Sequence, residues 1–135
     1  MVYAELIKLY FERSSALQGY WTLYVVIIGG LLAFSSLRKQ PDLTTTSLVG
    51  LLFLCFAYKN LGAIQDTTHN RAAVLQTIKQ YAPTSAESAA LSTLRPALEP
   101  TLMSTDSSSV RNFHMFCDFL TIAALMAMEL RRRRG

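Results

Sequence analysis

The chain has 135 residues, of which 51% are hydrophobic and 16% charged, with a net charge of +4 and a mean hydropathy of +0.26. Soluble domains carry about 25% charged residues, so these values exclude a disordered chain, a disulfide scaffold and an average soluble domain. The length allows one domain. The apolar residues are clumped, with no charge between Ser14 and Leu37 or between Leu43 and Tyr58. An all-α integral membrane protein with three transmembrane helices is the expected fold class.

From Val2 to Ala16 apolar residues recur at helical spacing (Val2, Leu6 and Leu9; Tyr3, Ile7 and Tyr10), and neither Pro nor Gly interrupts them. The pattern runs into a first span, Gly19 to Leu37, which as a helix covers about 28 Å against a ~30 Å hydrocarbon core. Tyr20, Trp21 and Tyr24 stand at its start as an interfacial aromatic belt, and Arg38 and Lys39 close its other end. A cleaved signal peptide fits badly, because the preceding tail mixes Glu5, Lys8, Glu12 and Arg13.

The second span runs from Leu43 to Ile64 with Lys59 as its only charge, and its helical stripe continues through Leu75 and Ile78 to Pro83. Helices over 2–38 and 44–81, joined around Gln40, Pro41 and Asp42, make a long antiparallel hairpin projecting about 25 Å beyond the bilayer. Folding about Pro41 brings Glu12 near Arg71, Arg13 near Asp66 or His69, and Glu5 near Lys79. Exposed pairs of this kind select register and add only ~0–1 kcal/mol each. Gly29, Gly30 and Ala33, Ser47, Gly50 and Ala57, and Ala123 and Ala127 are small enough to let membrane helices approach closely.

Residues 82–108 shift to Ser, Thr, Ala and Pro. Thr84 and Glu87 form a capping box that predicts a short helix to Leu94, ahead of Pro96, packed on the projecting hairpin. A last helix over 109–134, capped by Asp106 or a neighbouring serine, supplies the third span, Asn112 to Leu130. It contains Asp118 and closes on Glu129 and the run Arg131, Arg132, Arg133 and Arg134. Such a run is a topology and anionic-lipid signal, and it argues against nucleic acid as a partner. With Arg38 and Lys39 on the same side, it places the carboxyl terminus in the cytoplasm and the amino terminus outside. A bacterial inner (plasma) membrane is the expected location.

Lys59 and Asp118 fall about 22 and 18 Å from the basic side, where a charge needs a partner or an escape to the headgroups. They are the expected intramembrane polar pair, most simply one that locks the third helix to the hairpin. Arg111, His114, Asp118 and Thr121 make a polar stripe, an interface in one reading and a pore lining in another. Asp66 with His69, and His114 with Asp118, share helix faces at ligand spacing, but the two histidines are too far apart in depth for a shared haem, and a metal bridging Asp66 and His114 would need about 9 Å of vertical adjustment. No metal and no cofactor is expected. Cys55 and Cys117 read as small hydrophobes at similar depth. Phe53, Phe56, Phe113, Phe116 and Phe119 read as packing or lipid-facing residues.

No glycine-flanked serine, Cys–His pair or phosphate loop suggests catalysis. The expected function is non-catalytic: an accessory or assembly subunit packing against itself or a larger membrane complex. A small oligomeric channel or transporter built on the stripe of the third helix is the alternative. The expected partners are the lipid bilayer and either further copies of the chain or the other subunits of a membrane complex.

Overall fold

A computed structural model describes residues 2–135. Its elements are α1 (Tyr3–Leu37), α2 (Leu43–Gln80), α3 (Ser88–Leu98), a 3₁₀ turn (Glu99–Thr101) and α4 (Ser107–Arg134), with no strand among the described residues. Helices α1, α2 and α4 are each long and apolar enough to cross a membrane. In their most apolar stretches only 11%, 22% and 22% of residues are buried within the protein. The remaining apolar surface, including Val25, Val26, Leu51, Leu52, Phe116 and Phe119, forms the band that lipid covers in a membrane protein.

Each helix boundary has a local cause. The Val2 N–H donates to Glu5 Oε2 at 3.1 Å to start α1. The chain turns at Pro41, and Asp42 then caps α2, accepting the Thr45 N–H at 3.1 Å and the Thr45 hydroxyl at 2.6 Å. Those two bonds from Thr45 hold the Asp42 carboxyl below its usual range. Asp106 caps α4 through the Ser109 N–H at 3.2 Å.

The hairpin register is the one expected from folding about Pro41. Tyr3 meets Tyr81 with ring centroids 5.5 Å apart, Arg71 lies over Tyr10 at 5.9 Å, and Asn60 bonds the Tyr20 carbonyl. The opposite charges expected to accompany it do not pair among the described residues. Lys8 meets Glu12 on its own helix at 3.9 Å, while Arg71 turns to Tyr10 and to the Thr105 hydroxyl at 3.5 Å. Burial of the apolar seam therefore sets the register.

Beyond the apolar band, Tyr3, Leu6, Tyr10, Leu75, Ile78, Leu91 and Leu102 form a small core of their own. The loop after α2 closes it: the Tyr3 hydroxyl donates to Glu99 Oε1 at 3.1 Å and the Tyr10 hydroxyl to the Met103 carbonyl at 2.6 Å. Helix α3 begins later and ends later than the sequence predicts, running through Pro96. The Thr84 N–H and hydroxyl both reach Glu87 Oε2, at 3.1 and 3.0 Å, in a turn ahead of the helix. Past Pro96 the helix is held by Arg95. That side chain bonds Glu99 Oε1 at 2.6 Å and donates to the end carbonyls of α2, Ile78, Lys79 and Tyr81, at 2.8 to 3.1 Å. Arg95 thus caps α2 from a distance, and this tertiary tie outweighs the local break expected at proline.

Of the small residues expected between helices, Gly50 and Ala57 do pack inside. A side chain at Gly50 would meet Ile122 of α4 at 3.6 Å, and Ala57 is buried against Tyr24 and Phe53. Gly29, Gly30, Ala33, Ser47, Ala123 and Ala127 face outward instead.

Candidate functional site: a polar chain across three helices

Tyr24 of α1, Asn60 of α2, and His114 and Asp118 of α4 form one hydrogen-bonded chain inside the bundle. The Asn60 side-chain N–H donates to the Tyr20 carbonyl at 3.2 Å, and Asn60 Oδ1 stands 3.1 Å from His114 Nε2. On the other side of the ring, His114 Nδ1 is 2.9 Å from Asp118 Oδ2. The Tyr24 hydroxyl donates to Asp118 Oδ1 at 2.5 Å and lies 3.2 Å from the His114 carbonyl. His114 is wholly buried, stacked on Tyr24 with centroids 4.1 Å apart and flanked by Trp21 at 5.7 Å.

Donor counting fixes one proton. The Tyr20 carbonyl requires Asn60 to present its amide N–H there, which leaves its oxygen facing His114. Nε2 therefore donates. A second proton lies between Nδ1 and the Asp118 carboxyl, so the His–Asp pair is net neutral whichever atom holds it. A neutral, fully bonded group is how a carboxylate and an imidazole persist inside a membrane helix bundle.

The expected pair between Lys59 and Asp118 is not formed among the described residues. Asn60 faces the core along with Phe53, Ala57 and Ile64, so Lys59, one residue back, is carried to the exposed side of α2. Asp118 turns to His114 and Tyr24 instead. Nor do Arg111, His114, Asp118 and Thr121 form one open stripe: His114 and Thr121 are buried, Asp118 is partly buried, and Arg111 is exposed. The sequence reading missed Asn60 and Tyr24. Asn60 is a polar residue in register with buried Phe53, Ala57 and Ile64, and that spacing was the available signal. Tyr24 reads from the sequence as part of the interfacial belt.

A second cluster ties the basic ends of the same helices. Glu129, almost fully buried, accepts the Thr46 hydroxyl at 2.9 Å, Arg132 at 2.8 Å and Arg133 at 3.2 Å. Arg132 also donates to the Ser35 carbonyl at 2.7 Å, and Arg38 to Thr46 at 3.2 Å. Two of the four terminal arginines are thus structural ties as well as topology signals. Asp66 and His69 are exposed, and no group of three or more metal-ligating side chains occurs among the described residues. Cys55 and Cys117 are both free thiols.

In comparison with known proteins, the chain matches no family model, no curated protein and no solved structure. The geometry alone carries the functional reading.

Proposed function

We propose that this chain is a non-catalytic membrane subunit, an accessory or assembly component that packs through α1 against a second copy or a larger membrane complex. The observation that carries the reading is the outward face of α1. Gly29 and Gly30 lie in mid-helix with nothing within 4 Å of where a side chain would stand, and Ala33 continues that exposed surface. Glycine inside a helix costs about 0.5–1 kcal/mol relative to alanine. Inside a membrane its return is close approach of another helix. Among the described residues, nothing approaches.

The polar chain supports the same reading by being closed. His114 has both ring nitrogens bonded and no open face, so it offers no substrate a reactive atom. The arginines and lysine of the basic end support placing that end in the cytoplasm. A small oligomeric channel is the second reading, favoured by the 16% exposure that Asp118 keeps. In that case Asp118→Asn abolishes flux and leaves assembly intact.

The test is the mass of the particle extracted in mild detergent, with every copurifying chain identified. The expected particle exceeds one 15.1 kDa chain after detergent is subtracted. A strict monomer without partners overturns the proposal.

A further inference from the structure

We infer a discrete binding site for a phosphoryl anion, the headgroup phosphate of an anionic phospholipid, in the cleft between the basic ends of α1 and α4. The cleft holds about 550 Å³ and is lined by Ser36, Arg38 and Lys39 from one side and Met128, Arg131, Arg132 and Gly135 from the other. It lies just past the last apolar turn of α1, at headgroup depth, with exposed Phe34 and Leu37 beside it for acyl chains. The inference rests on the membrane placement of the chain, but not on its association with a partner.

Three observations separate this cleft from a merely basic helix end. First, the charge is not balanced. Arg38, Lys39 and the four terminal arginines stand against two side-chain carboxylates, Asp42 and Glu129, and both are already engaged, with Arg38 at 3.9 Å and with Arg132 and Arg133. Second, Lys39 and Arg131 line the cleft with no hydrogen bond or ion pair of their own among the described residues. Cations at a helix C-terminus are often explained by its partial negative charge. Here Arg132 already serves the α1 end by bonding the Ser35 carbonyl, so Lys39 and Arg131 remain over. Third, Arg132, 92% buried, is held at the cleft wall by its bonds to the Ser35 carbonyl and to Glu129. Arg132 thus stands in the cleft wall as a fixed charge, while Lys39 and Arg131 keep their donors free. Guanidinium groups recognise phosphate with paired N–H bonds, and basic pockets between membrane helices take anionic headgroups.

The test counts lipids on the intact protein by native mass spectrometry after reconstitution in phosphatidylcholine with or without phosphatidylglycerol. One phosphatidylglycerol per chain is expected to survive detergent exchange. Lys39→Gln and Arg131→Gln, which touch no internal bond, each reduce its retention by about fivefold, whereas Arg134→Gln, outside the cleft, changes it less than about twofold. Equal loss in Arg131→Gln and Arg134→Gln means diffuse attraction and overturns the site. So does equal retention of the two lipids, unless inorganic phosphate titrated in neutral detergent binds saturably and loses that binding in Arg131→Gln. That last result keeps the phosphoryl site and makes its ligand a soluble anion. A monomeric particle would sink the subunit proposal and leave this one standing.

Discussion

Asn60 and His114 face each other at 3.1 Å across the α2–α4 contact, oxygen toward ring nitrogen, and neither has a substitute partner there. Removing one strands the other. His114→Leu leaves the Asn60 oxygen and one Asp118 oxygen unbonded and is expected to lower stability by about 1–3 kcal/mol. Asn60→Leu strands the Nε2 proton at a similar cost. The double variant Asn60→Leu/His114→Leu replaces both partners at that contact, so the two losses should overlap, with a coupling of about 0.5–1.5 kcal/mol. Unfolding in mixed micelles with a denaturing detergent measures all four corners of the cycle. Additivity within about 0.3 kcal/mol would mean that the contact holds nothing.

Glu129 gathers Thr46, Arg132 and Arg133 at the other end of the bundle. Glu129→Gln keeps the shape and removes the charge, leaving the buried Arg132 against a neutral amide. A loss of about 1–3 kcal/mol is expected, and because the pair is shielded it should persist in about 0.5 M salt. Arg134→Gln, with no internal bond, should stay within about 0.5 kcal/mol of the parent. A salt-sensitive loss equal in the two variants would mark Glu129 as a surface charge.

The three spans and the hairpin were legible because apolar runs, Pro41 and the flanking cations are local signals. Asp42 and Pro41 alone stop one helix and start the next. The polar chain was not legible in full, since its parts belong to three helices and only rotation about each axis decides what faces inward. Lys59 and Asn60 illustrate the difficulty. Depth along the helix made Lys59 the natural partner for Asp118, but one residue of rotation carries Lys59 outward and Asn60 inward. Pro96 failed differently: the sequence cannot show that Arg95 spans from α3 to the end of α2 and holds the helix past its proline.

The cap outside the apolar band should be stable between two pH edges. The Thr84 N–H, with the Tyr81 and Thr84 hydroxyls, holds Glu87 below its ordinary range, and the Ser108 hydroxyl and Ser109 N–H do the same for Asp106. Depressed carboxylates contribute stability that is present above about pH 4 and is lost as pH falls through the folded-state values. Tyr3 is raised by burial and by its bond to Glu99, and Tyr81 by its bond to Glu87. Their contribution is present below about pH 10 and is lost as pH rises through the raised values. Helical circular dichroism during melts across pH should show both edges. Glu87→Gln should soften the acid edge and Tyr3→Phe the alkaline one, and an edge unmoved by its variant would assign that edge to other groups.

The outward glycines of α1 separate folding from association. If Gly29 and Gly30 serve only this chain, replacing them improves it. Gly29→Ala should stabilise the single copy by about 0.5–1 kcal/mol, since no neighbour lies within 4 Å of the added carbon. If they serve a helix–helix contact, the same surface must reject bulk. Gly29→Leu/Gly30→Leu should then keep the helical spectrum and the melting behaviour of the single copy while weakening association at least tenfold, an effect of about 1.4 kcal/mol. Energy transfer between labelled copies in vesicles reads self-association, and copurification reads a foreign partner. Loss of both folding and association would mean that the glycines touch something inside the chain, contrary to the open space around them. Full association in the leucine variant would move the contact to another face and remove α1 from the proposal.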